Sequence, residues 1–257
     1  MLTTFPRHAS VFTVFLVSAC SLVGCDKSSS GPVTLFLDGA GWFAGSGPVS
    51  AGLREAGDKG DFETFVWSSG LGPAHDHLLV AGNKSLGRRL ARKVEKLRQG
   101  APNARINVIA LSAGTSVVLN ALEQLKPGVV VDNVVLLSSS ASGSRDLTPL
   151  MHHVRGRLYA TCSTNDGILS GLITNADHKG GDPAGLSGFR PPRNNSPATR
   201  AAYSRVVNLH WKPAYLAYDW NGGHTAATNR KFIAAVIAPR ILSDEPYPAD
   251  RPVMAGP

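Results

Sequence analysis

Residues Ile106–Leu122 read INVIALSAGTSVVLNAL, and this stretch decides the fold. Ile106–Leu111 is a short apolar run of the kind that forms a strand buried on both faces. The next residues are small, Ser112-Ala113-Gly114, and an amphipathic helical pattern begins directly after them. A strand feeding a helix through so tight a turn is the building unit of a parallel, helix-covered sheet. The small residues let Ser112 stand on a strained turn, with its hydroxyl at the carboxyl edge of the strand.

Working outward, similar apolar runs recur at Val33–Leu37, Phe62–Trp67, Val131–Leu137, Leu158–Cys162 and Val206–Trp211. Helical patterns lie between and after them. Asn83–Gln99 stops at Gly100 and Pro102, Ser116–Leu125 stops before Pro127 and Gly128, and Ala226–Leu242 places Phe232, Ile233, Val236 and Ile237 on one face. The expectation is an α/β protein with a doubly wound, mostly parallel sheet of about six strands. At 257 residues and 43% hydrophobic, one core domain is expected, at 33–245. Residues 171–200, rich in Gly, Pro and Asn, read as a long irregular insertion that either walls a pocket or is disordered, and 246–257 read as a tail.

The net charge is +8, but the cations are scattered except at Arg88–Arg98. Leu86, Leu90, Val94 and Leu97 recur there at helical spacing, so the cations take the outer face of a helix. A solvated face accounts for them, with an acidic partner or a membrane surface as the other reading. No zinc-finger spacing or aromatic–basic motif occurs, so no nucleic-acid partner is expected.

At the amino terminus, Arg7 precedes the apolar stretch VFTVFLVSAC, which is too short to span a bilayer. It closes with LVGC at Leu22–Cys25, which resembles the lipobox of bacterial lipoproteins. That resemblance implies a signal peptide at 1–24, diacylation of Cys25, a tether to residue 32, and a domain anchored to a membrane of the bacterial cell envelope. An ordinary signal peptide is the alternative. With Cys20 in the leader and Cys25 lipidated, Cys162 remains as a lone thiol, read as buried and structural.

A serine hydroxyl needs a base to act as a nucleophile. NGGHT at Asn221–Thr225 supplies His224 on a glycine-flexed loop, and TCSTNDGIL places Asp166 just past the fifth strand. The order Ser112, Asp166, His224 is that of the α/β-hydrolases, which the chain resembles from Val33 to Leu242. In the nucleophile turn Ala110 replaces the family's first glycine. The resemblance implies a small hydrolase without a large cap and without the amino-terminal antiparallel strands of larger members. It implies that Ser112 attacks an acyl carbonyl, that His224 is the base, and that Asp166 orients it. Asp146, after the fourth strand, is the alternative acid, with Asp177 and Asp219 further behind.

The loop DGAGW at Asp38–Trp42 then falls where the family donates one backbone N–H to an oxyanion, from Ala40 or Gly41, with Ala113 giving the second. Trp42 either walls the acyl pocket or simply packs. Gly39, Gly41 and Ala44 also fit a dinucleotide fingerprint. Asp38 beside a pyrophosphate and the lack of a helix opening at Gly41 speak against that reading. His75 and His77 in AHDHL lack a second ligand cluster. No metal or cofactor is expected. The activity implied is hydrolysis of a small-molecule or lipid carboxylic ester, or a thioester. The rival is a catalytically inactive binding protein on the same fold.

Overall fold

A computed structural model describes residues 31–41, 44–68, 84–174, 181–193 and 196–254, with side chains undescribed at 172–174. The signal peptide, Cys25, Trp42, His75, His77 and Asp177 lie outside the described residues.

Six strands form one sheet: β1 (Val33–Leu37), β2 (Asp61–Thr64), β3 (Ile106–Leu111), β4 (Asn133–Leu137), β5 (Leu158–Cys162) and β6 (Val206–His210). Their order is β2-β1-β3-β4-β5-β6, and every pairing is parallel. The chain starts in the interior, steps outward to β2, then crosses back over β1 to β3 and proceeds the other way. The strand order thus reverses between β1 and β3, and in open α/β sheets the crevice at such a point is where ligands bind.

Both faces of the sheet are covered, which is why β1, β3, β4 and β5 are apolar at nearly every position. Alternate residues feed two cores. Leu35, Val108, Ala110, Leu136 and Ala160 face a layer built from α2 (Lys84–Gly100) and α3 (Gly114–Leu122). Phe36, Ile109, Leu111, Val135 and Tyr159 face α1 (Ser46–Glu55) and the carboxy-terminal helical run. That run is not the single regular helix its pattern suggests. An α-turn at Arg230–Phe232 leads into a π-helical segment, Ile233–Ile237, and then Ala238–Leu242. Pro239 has no N–H and crowds the preceding turn, and the wider π segment just ahead of it makes the room.

Two segments differ from their sequence reading. Within 171–200, the described residues are helical in part: α4 (Gly167–Thr174) extends into it, α5 (Ala184–Ser187) lies inside it, and α6 (Pro197–Tyr203) begins in it. Ala184 and Phe189 are fully buried, and the N–H groups of Ala184 and Gly185 donate to the carbonyls of Ala141 and Ser139 at 2.7 and 2.8 Å. Two of its glycines sit where a side chain would not fit: a Cβ on Gly185 would fall 2.4 Å from Leu169, and one on Gly188 2.4 Å from Asn208. The supposed tail also docks: Pro252 bridges Val207 antiparallel, and Val253 N–H donates to Val206 O at 2.8 Å. It covers part of an otherwise open sheet edge.

Candidate active site

Ser112 sits at the carboxyl end of β3 with φ +52°, a left-handed backbone that a non-glycine residue adopts only when its surroundings hold it there. The hold is visible. Its N–H donates to Leu137 O at 2.9 Å, and its carbonyl accepts from the N–H (3.0 Å) and hydroxyl of Thr115, the first turn of α3. Thr115 Oγ1 in turn lies 2.8 Å from Ser139 Oγ. A Cβ on Gly114 would fall 2.5 Å from Asp38 O, so only glycine lets the β1 loop close on this turn. A Cβ on Gly39 would lie 3.3 Å from Ser112 Cβ, which places the DGAG loop directly beside the serine.

Asp38 anchors that loop. Its Oδ2 accepts the Gly45 N–H at 3.2 Å, and its carbonyl accepts Trp67 Nε1–H at 2.8 Å. Burial pushes its carboxyl up from 3.8 to about 6, against the pull of N–H donors at Gly45, Gly39 and Ser46. Among the described residues, the N–H groups of Ala40 and Ala113 have no hydrogen-bond acceptor. Unspent donors on both sides of a serine are what an oxyanion site requires. A shallow cleft of about 40 Å³ adjoins Gly39, bounded by Thr64, Phe65, Val66 and Trp67.

Asp166 serves two elements at once. Its Oδ1 accepts the Leu169 N–H at 3.0 Å, capping the start of α4. Its Oδ2 faces His224 Nδ1 at 2.8 Å. The pair is removed from water, with Asp166 at 0% and His224 at 9% exposure. A carboxylate acceptor fixes the proton on Nδ1 and leaves the Nε2 lone pair as the basic position. Gly222, at φ +88°, lets the loop turn back; a Cβ there would fall 2.5 Å from Ser163 Oγ.

The serine turn and the histidine loop are both anchored at the end of β4. Ser112 is bonded to Leu137, while the next residue, Ser138, donates its hydroxyl to His224 O at 2.9 Å. Ser138 also has positive φ, +46°, and its N–H donates to Thr161 Oγ1 at 2.9 Å. Among the described residues, the Ser112 hydroxyl has no hydrogen-bond partner. Ser138 escaped the sequence reading; the signal for it was the polar triplet Ser138–Ser140 that breaks off an apolar strand at the functional edge.

The remaining candidates among the described residues fall elsewhere. Asp146 is exposed and its Oδ1 accepts the Thr148 N–H at 2.8 Å, a local turn contact. Asp219 is paired with Lys231 at 3.0 Å. Among the described residues, no cluster of His, Cys, Asp and Glu could hold a metal ion. A roomier cavity of about 230 Å³ lies at the opposite, amino-terminal edge of the sheet beside Asn133 and Arg157, away from these residues.

No family model matches the chain, and no curated protein matches its sequence. Solved structures do resemble it. An acetylxylan esterase matches at 14% identity over 82% of this chain and 95% of that one, with a TM-score of 0.46. A cutinase-like protein from Cryptococcus sp. matches at 13% identity over 84% and 95%, TM-score 0.42. Trichoderma reesei cutinase matches at 19% identity over 56% and 67%, TM-score 0.41. The fold itself is a six-stranded parallel sheet flanked by helices, with no large cap between β4 and β5. Likenesses this distant carry no weight for activity, which has to come from the geometry of the site.

Proposed function

We propose that this chain is a serine hydrolase that cleaves carboxylic esters through an acyl-enzyme on Ser112. The observation that carries the reading is the buried His224–Asp166 hydrogen bond, tied through Ser138 to the same corner that holds the strained Ser112 turn. In the acylation step His224 Nε2 takes the Ser112 proton as Oγ bonds to the ester carbonyl carbon. The developing oxyanion is met by the N–H groups of Ala40, or Gly41, and Ala113. The C–O bond then breaks and the proton passes to the departing alcohol. Water, deprotonated by the same imidazole, repeats the sequence to release the acid. Asp166 holds the tautomer throughout. The chemistry as written draws on no cofactor and no metal.

We further propose that Cys25 is diacylated and holds the enzyme at a membrane of the bacterial envelope; the LVGC motif supports this. Palmitate incorporation that is lost in Cys25→Ser tests it.

The test of activity is labelling with a fluorophosphonate, followed by mass spectrometry. A single adduct on Ser112, absent in Ser112→Ala and His224→Ala, is expected. A folded protein that takes up neither a fluorophosphonate nor any short-chain ester would be a binding protein instead.

A further inference from the structure

The outer face of α2 carries charge of one sign. Lys84, Arg88, Arg92 and Lys96 recur at every fourth residue and are all exposed, so they form a single row roughly 18 Å long down the helix. The helix's one acid, Glu95, is turned inward, where its Oε1 accepts the Lys126 N–H at 3.2 Å and its Oε2 lies 3.4 Å from Lys126 Nζ. The cations that flank the row are engaged with the domain itself: Lys93 pairs with Glu63 at 2.6 Å, and Arg89 lies over the Phe65 ring at 5.6 Å. Arg88 and Arg92 have no acidic partner among the described residues. Like charges four apart weaken a helix, and acids interspersed at the same spacing would relieve this without touching the core. A row kept uniformly cationic complements an extended anionic surface.

The connectivity favours one such surface. Val33, where the chain from Cys25 enters β1, donates its N–H to Arg105 O at 2.8 Å. Arg105 ends the short connection that leaves α2 at Gly100. The tether therefore joins the domain at the Lys96 end of the row, and Ser112 stands at the sheet edge nearer the Lys84 end. Asp26–Pro32 is seven residues, about 25 Å at full extension, which is comparable to the length of the row. We propose that the Lys84–Arg88–Arg92–Lys96 row seats the domain on an anionic phospholipid surface, α2 lying along the membrane. The choice of a bilayer over another polyanion rests on the lipid-anchor reading of Cys25.

The test uses a chain beginning at Lys27, so that lipidation plays no part; both cores are built from residues 33–254, which it retains. Its co-sedimentation is measured with vesicles of phosphatidylcholine alone and of phosphatidylcholine with about 30% phosphatidylglycerol. The expected result is binding to the anionic vesicles only, abolished near 0.5 M salt. Lys84→Gln, Arg88→Gln and Arg92→Gln together should weaken it about 100-fold with an unchanged melting temperature. Equal binding to neutral vesicles, or undiminished binding by the triple variant, would overturn the proposal. So would retention on duplex DNA or polyglutamate without vesicle binding. Each of these outcomes leaves palmitate labelling of Cys25 to be judged separately.

Discussion

Asp38→Asn should flatten the pH dependence of stability. Asp38 is 6% exposed at the end of β1 and holds the Gly45 N–H. Its carboxyl titrates near 3.8 in the unfolded chain and at about 6 in the fold, because burial disfavours the charge. Below both values the group is protonated in either state and imposes no penalty. Between them the folded protein keeps a proton that the unfolded chain has lost, so stability falls as pH rises through this window. Above about 6 the folded state bears the full cost of a buried carboxylate. The interval from 3.8 to about 6, at about 1.4 kcal/mol per pH unit, comes to about 3 kcal/mol. Asparagine does not titrate and keeps an oxygen for Gly45. The stability of Asp38→Asn relative to the parent should therefore grow by about 3 kcal/mol between pH 3.5 and 7.5. Urea unfolding at intervals across that range measures it. A difference that stays constant within about 0.5 kcal/mol would refute the reasoning, since a carboxyl with an ordinary value in the fold contributes nothing to this slope.

Three further outcomes are expected. Ser138→Ala removes the hydroxyl that holds His224 and keeps the strained backbone, whereas Ser138→Gly removes both; both should lower kcat by tens of fold with KM little changed, and glycine should be the more stable by about 1 kcal/mol. If glycine recovers activity together with stability, the hydroxyl does not position His224. Asp166→Asn can still cap α4 through Leu169, so circular dichroism should be unchanged, but its amide favours the wrong imidazole tautomer and kcat should drop about 10⁴-fold; parental turnover would remove Asp166 from the mechanism. Burial pushes the Cys162 thiol up to about 12, so iodoacetamide at pH 8 should modify it only in denaturant, and rapid alkylation of the folded protein would contradict its placement.

Much of the candidate site was legible in the sequence because its parts are local. The turn at Ser112 shows in the run of small residues between an apolar strand and a helix, and Asp166 and His224 show by falling just after strand-like runs in the hydrolase order. The strands themselves were readable because a parallel sheet buried on both faces demands unbroken apolar runs. Chain order narrowed the candidate acid to a few carboxylates, and the fold separates those among the described residues. Asp146 and Asp219 follow strand regions as well, yet each is spent on a local partner, while Asp166 points at His224.

What sequence could not supply is contact between residues far apart in the chain. Ser138 meets His224 across 86 positions, and its role is invisible until β4 and the histidine loop are brought to one corner. The segment 184–189 looked like a loop because glycine and proline mark irregular backbone, and they do not say whether that backbone is buried. The sequence by itself determined the order of strands and helices and the residue types at their ends, since hydrophobic period and turn chemistry are properties of neighbours. Only the tertiary structure decided which ends converge, because that depends on the sheet reversing between β1 and β3 and on side chains meeting across it.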